Sequence, residues 1–201
     1  MAKNVDPKAY VVNALKSVGR EGMEELIAYM EEIGFFTAPC SGGNHLCKER
    51  GLVEHTMHVI ELSQKLAETL IGKKNISKEQ MDSVIISAAL HDLGKCGQFG
   101  KPNYVPNMIK DGRPTKAEPE QKYKQSEAKP YTTNSDLLYV DHEIRSVAIA
   151  TMFIDLTEDE QFAILYHNGL YGNLKYALTG HETWLFMIIH WADMWAAKII
   201  E

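Results

Sequence analysis

Cysteine is scarce in this chain, and what there is cannot staple it. Cys40, Cys47 and Cys96 are odd in number and form no Cys-x-x-Cys pair. That excludes a disulfide framework and makes a reducing cytosol the expected setting. Positive charge is also short. Twenty-one Lys and Arg face 27 Asp and Glu, a formal net charge of −6. Duplex nucleic acid calls for a basic face, so it is not an expected partner. A small phosphorylated ligand is not excluded, because one local positive pocket suffices. Long apolar runs are missing as well. The longest, "WLFMII", falls far short of the roughly 20 residues of a membrane span. "MAKNVDPKAYVVNALKS" has neither the apolar core nor the cleavage site of a signal peptide. No membrane association is expected.

What is present is ordinary globular composition, 45% hydrophobic and 24% charged over 201 residues. That is long enough to bury a core without staples, and we expect a single domain over 1–201. Helical periodicity dominates. "PKAYVVNALKSV" and "EGMEELIAYMEEIGFF" read as two amphipathic helices within residues 1–33 and just beyond. "FTAPCSGGNHLCKERG" reads as a loop. A long helix follows in "LVEHTMHVIELSQKLAETLI". Ser77 with Gln80 forms a capping box that opens another helix, through "MDSVIISAALHD". Further helices are expected in "DHEIRSVAIATMFID", in "TEDEQFAILYHNG", and from Thr179, which with Glu182 reads as a capping box for the last one. With no convincing strand series, the expected fold class is all-α.

Residues 96–140 break the pattern. They are rich in proline and tyrosine and show no sustained periodicity. We expect an ordered excursion, with a short hairpin around "KDGRP". Residues 96–130 hold seven Lys and Arg against four Asp and Glu, a net of +3, which leaves −9 for the remainder. A basic excursion on an acidic body suits a phosphate-bearing ligand.

The polar residues set into apolar helices carry the chemistry. His55 and His58 share one helix face with Val59 and Leu62. His91 and Asp92 end the next helix, in "AALHDLGK". His142 opens a helix and His167 closes one. Asp193 lies in "IIHWADMWAAKII", where a carboxylate is costly to bury unless it is paired or bound to a metal. Imidazole and carboxylate are transition-metal ligands, and several inward-facing ones suggest a catalytic metal site with open positions.

The order His55, His91-Asp92, Asp193 on an all-α chain resembles the HD-domain superfamily of metal-dependent phosphohydrolases, in its small bacterial and phage-type form. "FFTAPCSGGNHLCKERGLVEHTMHV" is similar to the approach to that family's first ligand helix, "AALHDLGK" to its central motif, and "HWADMWA" to its closing Asp motif. The resemblance runs from about residue 34 to the end. Residues 1–33 and most of 100–138 carry no such motif. It implies an HD-domain helical bundle in which His55, His91, Asp92 and Asp193 ligate a divalent metal. Lys95 would steady a phosphate oxygen, which with Asp92 makes the catalytic pair. His142 and His167 match positions that hold a second metal in some subfamilies, with Asp92 bridging. Those subfamilies often show adjacent histidines, whereas here Asn168 follows His167. One ion or two therefore stays open, and so does contact of these two histidines with substrate phosphate.

Lesser candidates surround this set. Arg145 is a candidate phosphate clamp. His58 is a candidate for a supporting or substrate role. His45, with Asn44 and Arg50, is placed to line the pocket mouth, and Tyr104, Tyr166 and Tyr171 to stack on a base. His190 is expected in the core and His181 at the surface. The expected function is hydrolysis of a phosphate ester or anhydride, most readily of a nucleotide, by metal-activated water. The cofactor would be Mn, Fe, Co, Ni, Zn or Mg. Two other readings compete. One is a phosphodiesterase or exonuclease acting on short oligonucleotides or cyclic dinucleotides. The other is a non-catalytic nucleotide-binding regulatory module. A homodimer is the common default assembly.

Overall fold

The computed structural model describes residues 5–116 and 118–201. They are mostly helical, with three small antiparallel strand pairs. The first helix, α1 (Pro7–Val18), starts where the sequence puts it. Asp6 caps it through a bond from the Ala9 amide (3.0 Å), and Gly19 ends it at φ 69°. Helix α2 (Met23–Glu32) is shorter than its periodic stretch. After it, Phe35 and Phe36 pack edge to face in the core.

Helix α3 (Gly51–Ala67) carries His55 and His58 and ends in a π-helical turn, Glu68–Gly72. Helix α4 (Lys78–Leu90) opens on the expected Ser77–Gln80 capping box. Its residues Val84–Leu90 are all buried, so it is wrapped on every side. Its neighbours include α1, α3, α6 (Glu158–Tyr166) and α8 (Trp184–Trp195). Fully burying one aliphatic side chain contributes about 1.5–3 kcal/mol. Such a collar supports a helix whose last residues deliver His91 and Asp92 into the interior.

One expectation fails here, and another is exceeded. The last helix does not start at a Thr179–Glu182 capping box. A short helix, α7 (Lys175–Leu178), ends before Thr179, Glu182 accepts from the Gly180 amide, and α8 is capped by Thr183. Thr183 competes for the same role with a hydroxyl three residues before the Phe186 amide (3.3 Å). The excursion, moreover, contains strands. β1 (Gly97–Gln98) and β2 (Lys101–Pro102) form a tight hairpin through Phe99 and Gly100, both at positive φ. β3 (Tyr104–Pro106) pairs with β6 (Tyr131–Thr133), and β4 (Met108–Lys110) pairs with β5 (Tyr123–Gln125). These two pairs form one ribbon. Its hairpin does turn beyond Lys110, but over residues 111–122 rather than at "KDGRP" alone. Each strand is only two or three residues long, too short for alternation to register.

Helix α5 (His142–Ala150) is bolted to the turn that follows α4. Ser146 Oγ donates to the His91 carbonyl (2.9 Å) and accepts from the Gly94 amide (2.8 Å). A Cβ on Gly94 would lie 2.2 Å from the His142 carbonyl oxygen. This glycine therefore serves a close approach of two backbones rather than a turn. Among the described residues no helix is long and apolar enough to cross a membrane.

Candidate metal centre

Five helices deliver the polar residues to one place: α3, α4, α5, α6 and α8. His55, His91, Asp92 and His167 are buried, Asp193 is 17% exposed and His142 25%. The first donor set contains His55 Nε2, His91 Nε2, Asp92 Oδ2 and Asp193 Oδ1. His55 Nε2 lies 3.3 Å from His91 Nε2, 3.5 Å from Asp92 Oδ2 and 3.1 Å from Asp193 Oδ1. His91 Nε2 lies 3.4 Å from Asp92 Oδ2 and 3.9 Å from Asp193 Oδ1. The second set uses the other Asp92 oxygen. Oδ1 is 3.2 Å from His142 Nε2 and 3.4 Å from His167 Nε2, and those two nitrogens are 3.4 Å apart.

These spacings fit a metal. Ligands about 2.1 Å from a common ion stand about 3.0–3.4 Å from one another. The tautomers fit as well. His91 Nδ1 donates to the Ala88 carbonyl and His167 Nδ1 to the Ile164 carbonyl, each at 2.8 Å. A carbonyl only accepts, so both rings carry hydrogen on Nδ1 and present Nε2 lone pairs to the cluster. Among the described residues, neither Asp92 oxygen has a hydrogen bond of acceptable geometry, although Lys95 Nζ lies 2.6 Å from Oδ2. A buried carboxylate facing imidazole lone pairs needs a cation between them. Among the described residues, His55, His91 and Asp92, and Asp92, His142 and His167, form groups close enough to share a metal ion, as do His91, His167 and Asp193 across the two sets and Cys40, His45 and His55 beside them.

Without an ion, protons take that place. Burial lowers the His55 pKa, but the Cys40 sulfur and the Asp193 and Glu201 carboxylates outweigh it and hold the ring well above the usual range. Burial also opposes a charge on His167, and Asp92 overrides it and raises the pKa. Burial works against the Asp92 charge too, yet Lys95 and the surrounding imidazoles hold it well below the usual carboxylate range.

Three contributors were not legible in the sequence. Glu201 accepts from His55 Nδ1 (3.0 Å) and His58 Nδ1 (2.8 Å), with its side chain only 1% exposed. Burial resists its charge, and the His55 and His58 bonds push its pKa down to about 2. A π-helical turn after α8, Ala196–Ile200, carries the chain to that position. Glu143 stands 3.3 Å from His142 Nδ1 and accepts from Asn168 Nδ2 (2.6 Å). Asn168 Nδ2 also lies 3.1 Å from His167 Nε2 and 3.3 Å from His142 Nε2. An acid beside a candidate histidine was a signal for Glu143. No periodicity marks Glu201.

The lesser candidates disperse. Arg145 is buried, and its guanidinium donates to Gln98 Oε1 (2.9 Å) and the Leu138 carbonyl (3.0 Å), tying down the foot of the excursion. Arg50 is exposed and pairs with Asp6. Tyr166 packs on Phe162 at 4.6 Å and Tyr171 is exposed. Tyr104 is half-buried beside the centre, where burial raises its phenol pKa and the charges of Lys95 and Asp92 are felt. His45 Nε2 is 3.3 Å from Cys40 Sγ and 3.8 Å from Glu201 Oε2. His190 stacks on Phe186 and donates to the His167 carbonyl (2.7 Å), so it steadies His167 from behind, and His181 is exposed as expected.

No family model, no curated protein and no solved structure matches this chain.

Proposed function

We propose that this chain is a metal-dependent phosphohydrolase of HD-domain type, acting on a phosphate ester or anhydride of a small phosphorylated substrate, a nucleotide above all. The observation that carries the reading is the division of Asp92. Its Oδ2 faces His55, His91 and Asp193, while its Oδ1 faces His142 and His167. That arrangement suits two ions sharing one carboxylate, with His55, His91, Asp92 and Asp193 holding the first and Asp92, His142 and His167 the second. A divalent ion there supplies Lewis acidity and lowers the pKa of water to about 7 from about 15.7.

The chain's own residues do the rest. Glu201 fixes the ring of His55 from behind, so that Nε2 points inward, and Glu143 places its charge 3.3 Å behind His142 Nδ1. Lys95 neutralises Asp92 in the resting protein, and its ammonium is the nearest cation to meet a phosphate oxygen or the charge developing on it. Burial around α4 keeps these charges in a low-dielectric setting, where they act more strongly.

The test is phosphate release. Protein loaded with Mn, Co, Ni, Zn, Fe or Mg should release phosphate from at least one member of a nucleotide panel, and Asp92→Asn should abolish it. Absence of release across the panel, with metal bound, would overturn the reading. Cleavage confined to oligonucleotides or cyclic dinucleotides would move the activity to the phosphodiesterase class.

A further inference from the structure

The excursion forms a cleft that the metal centre does not use. It measures about 420 Å³ and lies between the loop at Gly42–Asn44 and the ribbon strands β3 and β6. Its walls include Asn44, Tyr104, Lys129, Thr132 and Thr133, and no acidic residue lines it. On a chain of net charge −6, a pocket of hydroxyls, an amide and an ammonium is a local exception.

Two segments of the cleft wall are tied to the centre through the chain. The Asn103 amide donates to the Cys96 carbonyl (3.3 Å), which ties the root of β3 to the turn that carries Lys95. Asn44 precedes His45, whose Nε2 reaches to 3.8 Å from Glu201 Oε2. The ribbon also closes onto the loop, since the Tyr131 amide donates to the Gly42 carbonyl (3.1 Å).

Lys129 is built into this wall. Its amide donates to Ser126 Oγ (3.2 Å), and its carbonyl accepts from Asn107 Nδ2 (2.9 Å). Its stem runs against the loop, where a Cβ on Gly43 would lie 3.0 Å from Lys129 Cγ. The neighbouring ribbon lysines Lys122 and Lys124 pair with Glu118 and Asp111. Among the described residues, no carboxylate pairs with Lys129. Its backbone is fixed and its charge is unspent.

We propose that the cleft between the Gly42–Asn44 loop and the β3–β6 ribbon is a subsite for a second phosphate of the substrate, with Lys129 as its cation and Tyr104 and Thr133, paired across β3 and β6, in its wall. The proposal rests on the phosphohydrolase reading and deepens it. The substrate class is then one with two or more phosphates, one at the metal centre and another in the cleft. Polar lining suits a phosphate better than a base, and hydroxyl and ammonium donors are the groups that hold one.

The test compares wild type with Lys129→Ala and Lys129→Arg. Metal-loaded protein is assayed on adenosine diphosphate and on p-nitrophenyl phosphate. In parallel, binding of adenosine diphosphate to the metal-free protein is measured by calorimetry. Lys129→Ala should raise the KM for the diphosphate about tenfold, the factor one charge-assisted contact supplies. The kcat on that substrate and both constants for p-nitrophenyl phosphate should stay unchanged, and Lys129→Arg should recover most of the loss. An equal effect on both substrates, or no effect on either, overturns the subsite. If wild type hydrolyses neither substrate, calorimetry decides alone, and the phosphohydrolase reading falls only if the whole nucleotide panel is inactive as well. Binding of the diphosphate that weakens in Lys129→Ala supports the subsite, and no binding, or binding indifferent to Lys129, overturns it.

Discussion

Adding a divalent ion should raise the melting temperature of this protein, and the size of the rise follows from linkage. An ion that binds only the folded chain stabilises it by about 2.7 kcal/mol at a hundred times its dissociation constant. For a chain of this length each kcal/mol moves the midpoint by about 2–4 °C, so the expected rise is about 5–10 °C. Asp92→Asn removes a carboxylate that faces both donor sets, one oxygen to each, and the ion-induced rise should vanish. The variant also starts lower. Lys95, with a side chain only 15% exposed, loses the carboxylate 2.6 Å away, and an unpaired buried charge costs about 3–5 kcal/mol. The comparison is therefore between shifts, not between midpoints. His142→Ala supplies a milder control, because that ring is 25% exposed and meets Asp92 at Oδ1. Scanning calorimetry with and without Mn, Co, Ni, Zn or Mg reads the shift, and elemental analysis reads the stoichiometry. Wild type should hold two ions and His142→Ala one. A wild type indifferent to every metal, or an Asp92→Asn variant that shifts as much, would refute the reasoning.

Three further outcomes are expected. His55 holds its proton well above the ordinary imidazole range, so the metal-free protein keeps that contribution to stability below about pH 6.5 and loses it as pH climbs through the raised value. Metal affinity should rise over the same window, because the ion displaces that proton; an affinity flat from pH 6 to 9 would count against His55 as a ligand. Arg20→Ala should destabilise by about 3–5 kcal/mol in urea titrations. It strips a two-bond partner (2.6 and 2.9 Å) from buried Glu160, which Ser83 and the Thr157 amide also hold. Burial opposes the Glu160 charge, but Arg20 leads the bonds that lower its pKa, so this contribution exists above about pH 4.5 and fades as pH falls below it; a stability difference between wild type and Arg20→Ala that is unchanged at pH 3 would be inconsistent. Gly94→Ala should cost about 1–3 kcal/mol, read by calorimetry, because its Cβ meets the His142 carbonyl; an unchanged midpoint would mean that α5 is free to shift.

The fold was legible where one residue type makes one kind of structure. The capping box at Ser77, the largely apolar "VIISAAL" and the three-four spacing of "PKAYVVNALKSV" each specify a helix through local chemistry, and α4 and α1 stand there. The donor residues were legible for a different reason. A buried His or Asp conflicts with its surroundings, and the conflict shows in the sequence. The ribbon was not legible, because its strands are short and mostly exposed and take their register from each other rather than from a buried face. Nor was the start of α8. Thr179 and Thr183 both present capping chemistry, and only the packing of α7 selects between them.

Two of the residues that stayed hidden, Glu201 and Glu143, stand on a ligand's far side. Glu201 belongs to no apolar face and to no motif. What places it is a π-helical turn, a backbone event that residue preferences do not announce. Yet it joins His55 and His58 across α3, and through His55 it touches the same cluster that Asp92 divides. Glu143 lies 3.3 Å behind His142 Nδ1, and Asn168 faces Nε2 of both rings of the second set. Each donor set thus has its own carboxylate behind it, Glu201 after α8 for His55 and Glu143 on α5 for His142, while Asp92 and His167 reach toward both sets. That layout couples the two sets. A change in charge at Glu201 reaches the second set through His55 and these shared groups, so loss of one ion should weaken, not abolish, binding of the other. A centre built from one set alone would show no such dependence.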